Sequence, residues 1–160
     1  MPRNVVQPPE WIDSAPILVE REIVIDATPA EVWSRIADHE HWPDWFTSLD
    51  TVEVTGRPTG VGGGRTVTVK RISIVEEFTA WDDDEHFAFA VTSSPIPMLR
   101  TLAESVRLVP EGDGCRIVYR QGLSGRRFLG WAMSLAWKQA AKQLEVALSN
   151  LKAQVEASKG

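Results

Sequence analysis

Three polar side chains share a predicted strand face with large apolar residues, and their chemistry suits proton transfer or the orientation of a ligand. They are Arg21, Glu104 and Tyr119, each two residues from an apolar neighbour. Because alternate residues of a strand point to the same face, we expect all three side chains to face the interior. Glu104 and Tyr119 are the candidate acid–base residues, since buried carboxyl and phenol groups are often tuned for proton transfer.

Two structural alternatives remain open for these side chains. A buried charge is costly unless it is paired or solvated. The three residues therefore belong to a ligand site, to a structural ion pair, or to a strand edge that faces solvent. Arg100 and Glu76 are weaker candidates of the same kind, because the register of their strands is ambiguous.

The glycine-rich segment Gly60–Gly64 lacks the context of a nucleotide-binding loop. Such a loop opens a helix, so that backbone amides and the helix dipole face the phosphate. Here the glycines lead into Thr66–Val69, whose alternation indicates a strand, and no Gly-Lys-Ser or Gly-Lys-Thr follows. We interpret the segment as a mobile loop at the mouth of an interior site.

The histidines and the cysteine predict neither a metal site nor a nucleophile. His39 and His41 lie on different sides of a short predicted helix, and neither has a partner at metal-ligand spacing. We expect these two histidines and His86 at the surface. Cys115 follows a hairpin turn with no base nearby, which favours a small buried apolar residue. The sequence indicates no metal and no cofactor.

Composition narrows the class of protein. The chain has 160 residues, a net charge of −5 and one cysteine; this length suits one domain that buries roughly 70% of its surface. Phosphate binding needs a clustered basic face, and the densest basic group is Arg126–Arg127, so we expect no nucleic-acid partner. The N-terminus does not resemble a signal peptide, and no segment approaches the roughly 20 apolar residues of a membrane span. We therefore expect a cytoplasmic protein.

The predicted elements are a strand, two short helices, a run of strands and one long helix. Thr28 and Glu31 form the signature of a capping box before the first short helix. Asp38 is expected to cap the second short helix, over residues 39–46. From residue 49 to residue 121 the chain alternates as strands separated by turns.

The long C-terminal helix carries one continuous apolar stripe. Its members recur at spacings of three and four, and they are Met133, Trp137, Ala140, Leu144, Ala147, Leu148, Leu151 and Val155. A helix of about 42 Å cannot bury this stripe alone, so the strands must cover it. We predict an α+β domain over residues 16–158, in which a curved antiparallel sheet wraps around the helix, preceded by an irregular arm over residues 1–15.

The order and spacing of several motifs resemble those of a known family. The motifs are Asp26–Trp33, Trp42–Phe46, Gly60–Gly62, Glu76–Phe78, Trp81–Asp82 and Pro110–Gly114. Through them the chain resembles the polyketide cyclase/dehydrase family of the START-like, helix-grip (SRPBCC) superfamily. The resemblance implies a seven-stranded sheet around the C-terminal helix and a cavity between them for hydrophobic or aromatic molecules. It implies no particular reaction, since one fold hosts many functions.

We accordingly expect a ligand site between the sheet and the long helix. Its predicted ligand contacts are Arg21, Phe87, Phe89, Leu102, Glu104, Tyr119, Met133 and Trp137. Its predicted lid or mouth residues are Gly62, Ile96, Met98 and Phe128. Trp131 and Leu135 lie off the apolar stripe, so they predict a second apolar surface, which would be a lid, a dimer surface or an edge that touches membranes.

Three functional hypotheses follow from the sequence. The first is a binding or carrier domain for a hydrophobic, lipid-like or polyketide-like molecule. The second is a cyclase, aromatase or dehydratase that uses Glu104 or Tyr119 as the acid–base group. The third is a protein–protein adaptor of the co-chaperone type, which would use the apolar segments 95–99 and 128–135. We expect a monomer or a homodimer whose partner is a hydrophobic small molecule.

Overall fold

The computed structural model describes residues 3–126 and 130–159. Within this part, 3-10 helices at Pro9–Ser14 and His39–Asp44 accompany two α-helices and seven strands. The regular elements are β1 (Ile17–Ile25), α1 (Pro29–Ile36), β2 (Thr51–Val54), β3 (Gly64–Val69), β4 (Ile72–Asp82), β5 (His86–Ser93), β6 (Leu99–Glu111), β7 (Gly114–Gly125) and α2 (Gly130–Ala157).

All seven strands belong to one antiparallel sheet. Their order is β1-β7-β6-β5-β4-β3-β2, so the first strand pairs with the last and the remaining strands follow as sequential hairpins. The helix α2 packs on the inner face of this sheet. The prediction of an α+β helix-grip fold with seven strands is therefore confirmed.

The apolar stripe of α2 faces the sheet as predicted. Its fully buried members are Met133, Leu144, Ala147, Leu148, Leu151 and Val155. Trp137 and Ala140 are only half-buried, because they lie where the helix and the sheet separate. Burial of each large aliphatic side chain contributes about 1.5–3 kcal/mol.

Polar contacts fix the C-terminal half of α2 to the rest of the fold. The side-chain amides of Asn150 and Gln154 donate to the carbonyl oxygens of Trp45 and Asp44, at 3.2 and 2.7 Å. The ammonium group of Lys152 donates to the carbonyl oxygen of Val24 at 2.8 Å. This half of the helix closes the core, which leaves the N-terminal half beside open space.

The capping box before α1 is present. The Glu31 N–H donates to Thr28 Oγ1 at 3.2 Å, and the Thr28 N–H donates to Glu31 Oε2 at 2.7 Å.

The predicted cap of the second short helix is wrong. Asp38 makes no side-chain cap, and the helix it precedes is a short 3-10 segment that ends at Asp44. Its carboxylate instead binds the ring Nδ1 of His41 at 2.9 Å.

The N-terminal segment packs against the sheet. The Asn4 backbone N–H donates to the Thr92 carbonyl oxygen at 3.0 Å, which places this segment beside the end of β5. Ile12, in the first 3-10 helix, is fully buried against Ala90 and Ala103. None of the described helices is long and apolar enough to cross a membrane.

Candidate functional site

A cavity lies between the inner face of the sheet and the N-terminal half of α2. Its volume is about 230 Å³. The apolar lining residues are Phe46, Leu49, Val67, Val69, Ile72, Ile74, Ile96, Leu102, Trp137 and Ala140, and the polar ones are Ser48, Lys70, Glu76, Glu104, Gln121 and Gln143. Lys70 and Ile72, in the turn after β3 and at the start of β4, are exposed. The cavity therefore opens toward solvent beside this turn.

The inner wall of the cavity carries a buried carboxyl group that accepts two hydrogen bonds. In the register of β6 and β7, Glu104 lies opposite Gln121 and Val106 lies opposite Tyr119. The Tyr119 hydroxyl donates to Glu104 Oε2 at 2.5 Å, and Gln121 Nε2 donates to Glu104 Oε1 at 3.2 Å. Two donors on one strand thus hold the carboxyl group of the next.

Burial changes the titration of both partners. The pKa of Glu104 is raised to about 7, mainly by burial and then by the negative charge of Glu76, while the hydrogen bond from Tyr119 opposes the rise. Burial and the neighbouring Glu104 raise the pKa of Tyr119 well above its usual value. At neutral pH the carboxyl group therefore populates both protonation states, and the phenol stays protonated.

The same network reaches α2. Trp137 Nε1 donates to Gln121 Oε1 at 3.1 Å, so one amide side chain links the helix indole to Glu104. An indole N–H in an apolar setting needs an acceptor, and Gln121 supplies it from the sheet. The hydrogen bond fixes the Trp137 ring at the cavity wall.

A second buried carboxyl group, Glu76, is paired with a cation. Arg65 Nε donates to Glu76 Oε2 at 2.6 Å, and these side chains are only 1% and 8% exposed. The guanidinium carbon lies 4.0 Å from the ring centre of Trp42 and 4.6 Å from that of Phe89. Burial raises the pKa of Glu76, and the charge of Arg65 opposes this. The pair thus places a carboxylate in the cavity wall with its counter-charge behind it.

His39 completes the environment of Arg65. The His39 ring is 2% exposed, with Nε2 3.1 Å from the Pro58 carbonyl oxygen and Nδ1 3.3 Å from Arg65 Nη1. Because a carbonyl oxygen only accepts and a guanidinium only donates, we assign the neutral ring with its hydrogen on Nε2. Burial and the charge of Arg65 lower the pKa of His39 to about 4.

The surface prediction is wrong for two of the three histidines. His39 is buried because the second 3-10 helix packs onto the aromatic residues of β4 and β5, including Phe78 at a ring separation of 4.7 Å. His86 is 5% exposed and lies 2.7 Å from the Ser105 hydroxyl; burial lowers its pKa. His41 is exposed as predicted.

Five of the eight predicted ligand contacts lie at or directly behind the cavity wall. Leu102, Glu104 and Trp137 line the cavity. Tyr119 lies behind Glu104 and is 1% exposed, while Met133 is 2% exposed and packs in the cluster that contains Leu102.

The other predicted contacts lie elsewhere. Arg21 Nε donates to Glu145 Oε1 of α2 at 2.7 Å, with 37% of the Arg21 side chain exposed. β1 is an edge strand, so its inward arginine reaches the flank of the helix and forms the structural ion pair of the alternative interpretation. Phe87 and Phe89 are buried among aromatic rings, with Trp42 6.0 and 6.3 Å away, because the second 3-10 helix covers β5.

The predicted lid residues are also dispersed. Ile96 lines the cavity, and Met98 packs in the neighbouring apolar cluster. Gly62 lies outside the lining set; its N–H donates to the Phe78 carbonyl oxygen at 2.9 Å, and the Phe78 N–H donates back to Gly63 at 2.9 Å. The glycine-rich segment is thus hydrogen-bonded to β4. It leads into the strand β3 and not into a helix, as the sequence predicts. Phe128 lies outside the described residues.

Three polar residues of the site were missed or undervalued. Arg65 alternates with Val67 and Val69, and Gln121 lies two residues from Tyr119. The same-face rule that selected Glu104 would have found both. The weaker candidate Glu76 lines the cavity, whereas its companion Arg100 is exposed.

The second apolar surface and the buried cysteine agree with the sequence predictions. Trp131 and Leu135 are 70% and 59% exposed, on the face of α2 that points away from the sheet. Cys115 is buried. Within residues 3–126 and 130–159, no three histidine, cysteine or acidic side chains come together as a metal site.

Comparison with known proteins agrees with this architecture. The family model for polyketide cyclase/dehydrase and lipid transport matches residues 16–156. An uncharacterised protein of Mycobacterium tuberculosis is 30% identical over 112 residues, which are 68% of this chain and 66% of that protein. The match thus spans slightly under two thirds of the relative.

Two solved structures share the fold. A START superfamily protein from Mycobacterium smegmatis superposes with a TM-score of 0.72 at 14% identity, over 88% of this chain and 97% of that one. The Zhui aromatase/cyclase of a Streptomyces species superposes with a TM-score of 0.72 at 15% identity, over 88% of this chain and 93% of that one. At these identities the likeness concerns the fold alone.

Proposed function

The chain belongs to the polyketide cyclase/dehydrase and lipid transport family, and on this premise we propose that it binds a compact hydrophobic or aromatic small molecule in the cavity beside α2. The observation that carries the proposal is the mainly apolar lining of a 230 Å³ cavity that contains one carboxyl group, Glu104, without a cationic partner among the described residues. Ligand sites typically combine apolar walls with a few placed polar groups. We place this activity in one domain over residues 16–158.

The cavity volume limits the ligand. An apolar cavity of about 150 Å³ accepts benzene, and a cavity of 230 Å³ accommodates about one and a half times that ligand volume by proportion. A fused two-ring compound or a short branched acyl chain fits this space. A larger polycyclic molecule fits only if the mouth near Lys70 and Ile96 widens.

The cavity also has groups that suit proton transfer, which supports catalysis as a second candidate function. A carboxyl group whose pKa is about 7 can both accept and return a proton at neutral pH. In an intramolecular aldol closure, the Glu104 carboxylate would take a proton from a carbon next to a carbonyl. The resulting carbanion would attack a second carbonyl carbon, and the proton would pass to the new alkoxide oxygen. Tyr119, which donates a hydrogen bond to Glu104, would hold the Glu104 carboxyl group in position.

A cavity-filling variant tests the binding proposal. Ala140 lines the cavity on α2, so Ala140→Phe should occupy the ligand space. Ala153 is exposed on the same helix, so Ala153→Phe is the matched control. Native mass spectrometry of the purified protein, followed by displacement of a hydrophobic dye, should show a bound small molecule or dye in the wild type and in Ala153→Phe. Equal dye binding by Ala140→Phe would contradict the proposal.

A turnover assay separates the two candidate functions. A carrier with Glu104→Gln should change only in affinity, whereas an enzyme should lose turnover and keep most of its affinity.

The adaptor hypothesis has the exposed Trp131 and Leu135 as its support. The cytoplasmic location and the monomeric or homodimeric state stay predictions.

A further inference from the structure

Four hydrogen-bond donors around the inner end of the cavity, where Glu104 lies, are engaged with protein acceptors. The Tyr119 hydroxyl and one Gln121 amide N–H donate to Glu104, and the Trp137 indole N–H donates to Gln121. The Arg65 Nε–H is engaged by Glu76. A ligand that reaches this end therefore meets side chains whose remaining capacity is mainly to accept hydrogen bonds.

Glu104 is a buried acceptor in the cavity wall with unused capacity. A carboxylate has about four lone-pair sites on its two oxygens, and Glu104 receives one hydrogen bond on each oxygen from the described residues. It has no arginine or lysine at ion-pair distance there, whereas Glu76 is paired with Arg65. Its two partners are neutral, so they fix its position without cancelling its charge.

We propose that the inner end of the cavity selects ligands that carry a hydroxyl group, which donates a hydrogen bond to Glu104, and discriminates against ligands that carry a carboxylate there. This inference rests on the proposed binding function and names its ligand class: a hydroxylated compact ring system. A hydroxyl brings one donor and leaves the rest of the molecule apolar, which suits the remaining lone pairs of Glu104 in a mainly apolar cavity. A carboxylate would meet the like charge of Glu104, with Glu76 also in the wall.

The charged groups around Glu104 determine how this selection depends on pH. Glu76 on β4, Arg65 on β3 and the titratable Tyr119 on β7 all act on its titration, and the charged Lys70 lines the same cavity at its exposed mouth. The part of α2 that lines the cavity contributes Trp137, Ala140 and Gln143, which are not titratable. Above pH 7 Glu104 is largely a carboxylate, and a hydrogen bond to a charged acceptor is roughly twice as strong as one to a neutral acceptor.

Four two-ring probes separate the possibilities in one titration series. They are naphthalene, 2-naphthol, 2-methoxynaphthalene and 2-naphthoate, with affinities measured by calorimetry on the full chain at pH 8 and pH 5. At pH 8 we expect 2-naphthol to bind about 10-fold or more tightly than 2-methoxynaphthalene, with 2-naphthoate the weakest. At pH 5, where Glu104 is protonated, the advantage of 2-naphthol should shrink at least several-fold.

The variant Glu104→Gln should remove the same advantage at pH 8, and the pH series on the wild type provides the test if this variant does not fold. Equal binding of 2-naphthol and 2-methoxynaphthalene, with naphthalene also bound, would overturn the selection while leaving the proposed function intact. Tightest binding of 2-naphthoate would overturn it as well. Absence of binding by all four probes would contradict the proposed function itself, and the inference with it.

Discussion

Tyr119 and Glu104 share a hydrogen bond of 2.5 Å between adjacent strands, and it holds a carboxyl group in the wall of an apolar cavity. Both side chains are almost fully buried. A buried carboxyl group without a cation is costly, so the fold retains here a group that packing alone would not favour. The two-residue contact is therefore the most informative feature of the site.

The stability of the protein should depend on pH through Glu104. Its pKa is raised from 4.5 to about 7 in the folded state, so the folded state binds the proton more tightly than the unfolded state. The stabilisation that the protonated Glu104 contributes to the folded state is fully present below pH 4.5 and is lost as the pH rises through 7. The free energy of unfolding of the wild type minus that of Glu104→Gln should fall between pH 5 and pH 8, by up to about 3 kcal/mol.

Urea unfolding at several pH values measures this difference. Burial raises the pKa of Glu76, which acts in the same direction, whereas the lowered pKa of His39 removes stability as the pH falls from 6.5 toward 4. Both groups remain in the variant, so the difference reports mainly on Glu104. Glu53→Gln, at an exposed position of β2, is the matched control. A difference that rises with pH would be inconsistent with a pKa of Glu104 that burial raises.

The pKa values of His39 and His41, which are two residues apart in the sequence, should be shifted in opposite directions. The pKa of His39 is lowered to about 4 by burial and Arg65, while Asp38 raises the pKa of the exposed His41 above 6.5. In an NMR titration, the His41 ring should become charged first as the pH falls. The His39 ring should stay neutral at pH 6, with its hydrogen on Nε2. A charged His39 ring at pH 6 would refute the buried contact with Arg65.

The effects of substituting Arg65 and Glu76 on the free energy of unfolding should be strongly coupled. Arg65→Met leaves a buried carboxylate without its counter-charge, which typically costs about 3–5 kcal/mol. The double variant Arg65→Met with Glu76→Leu removes both charges, and we expect it to be more stable than Arg65→Met alone. A double-variant cycle in urea measures the coupling energy. If the effects of the two single substitutions simply add, the two side chains do not form the pair described.

The fold was largely predictable because its signals are local and periodic. The stripe of α2 and the capping box of Thr28 and Glu31 depend on spacings of three and four residues. These spacings act within one element, whatever the rest of the chain does. Asp38 failed as a cap because its side chain had a competing local partner, the ring of His41.

The site was only partly predictable because it depends on strand order and register. Glu104 and Tyr119 could be assigned to inner faces from alternation, but their contact requires the pairing of Val106 with Tyr119. Arg21 has the same alternation and failed, because an edge strand places an inward side chain at the flank of α2. The burial of His39 is set by packing of a non-periodic segment, which no spacing rule detects.

The most direct test of cavity binding uses two tryptophans of α2 as reporters. Trp137 lines the cavity and donates its indole N–H to Gln121, whereas Trp131 is 70% exposed on the opposite face. The measurement is the indole N–H spectrum of ¹⁵N-labelled protein titrated with 2-naphthol. The cavity account predicts a saturable shift of the Trp137 signal with the Trp131 signal unchanged. A saturable shift of Trp131 without any change at Trp137 would contradict it.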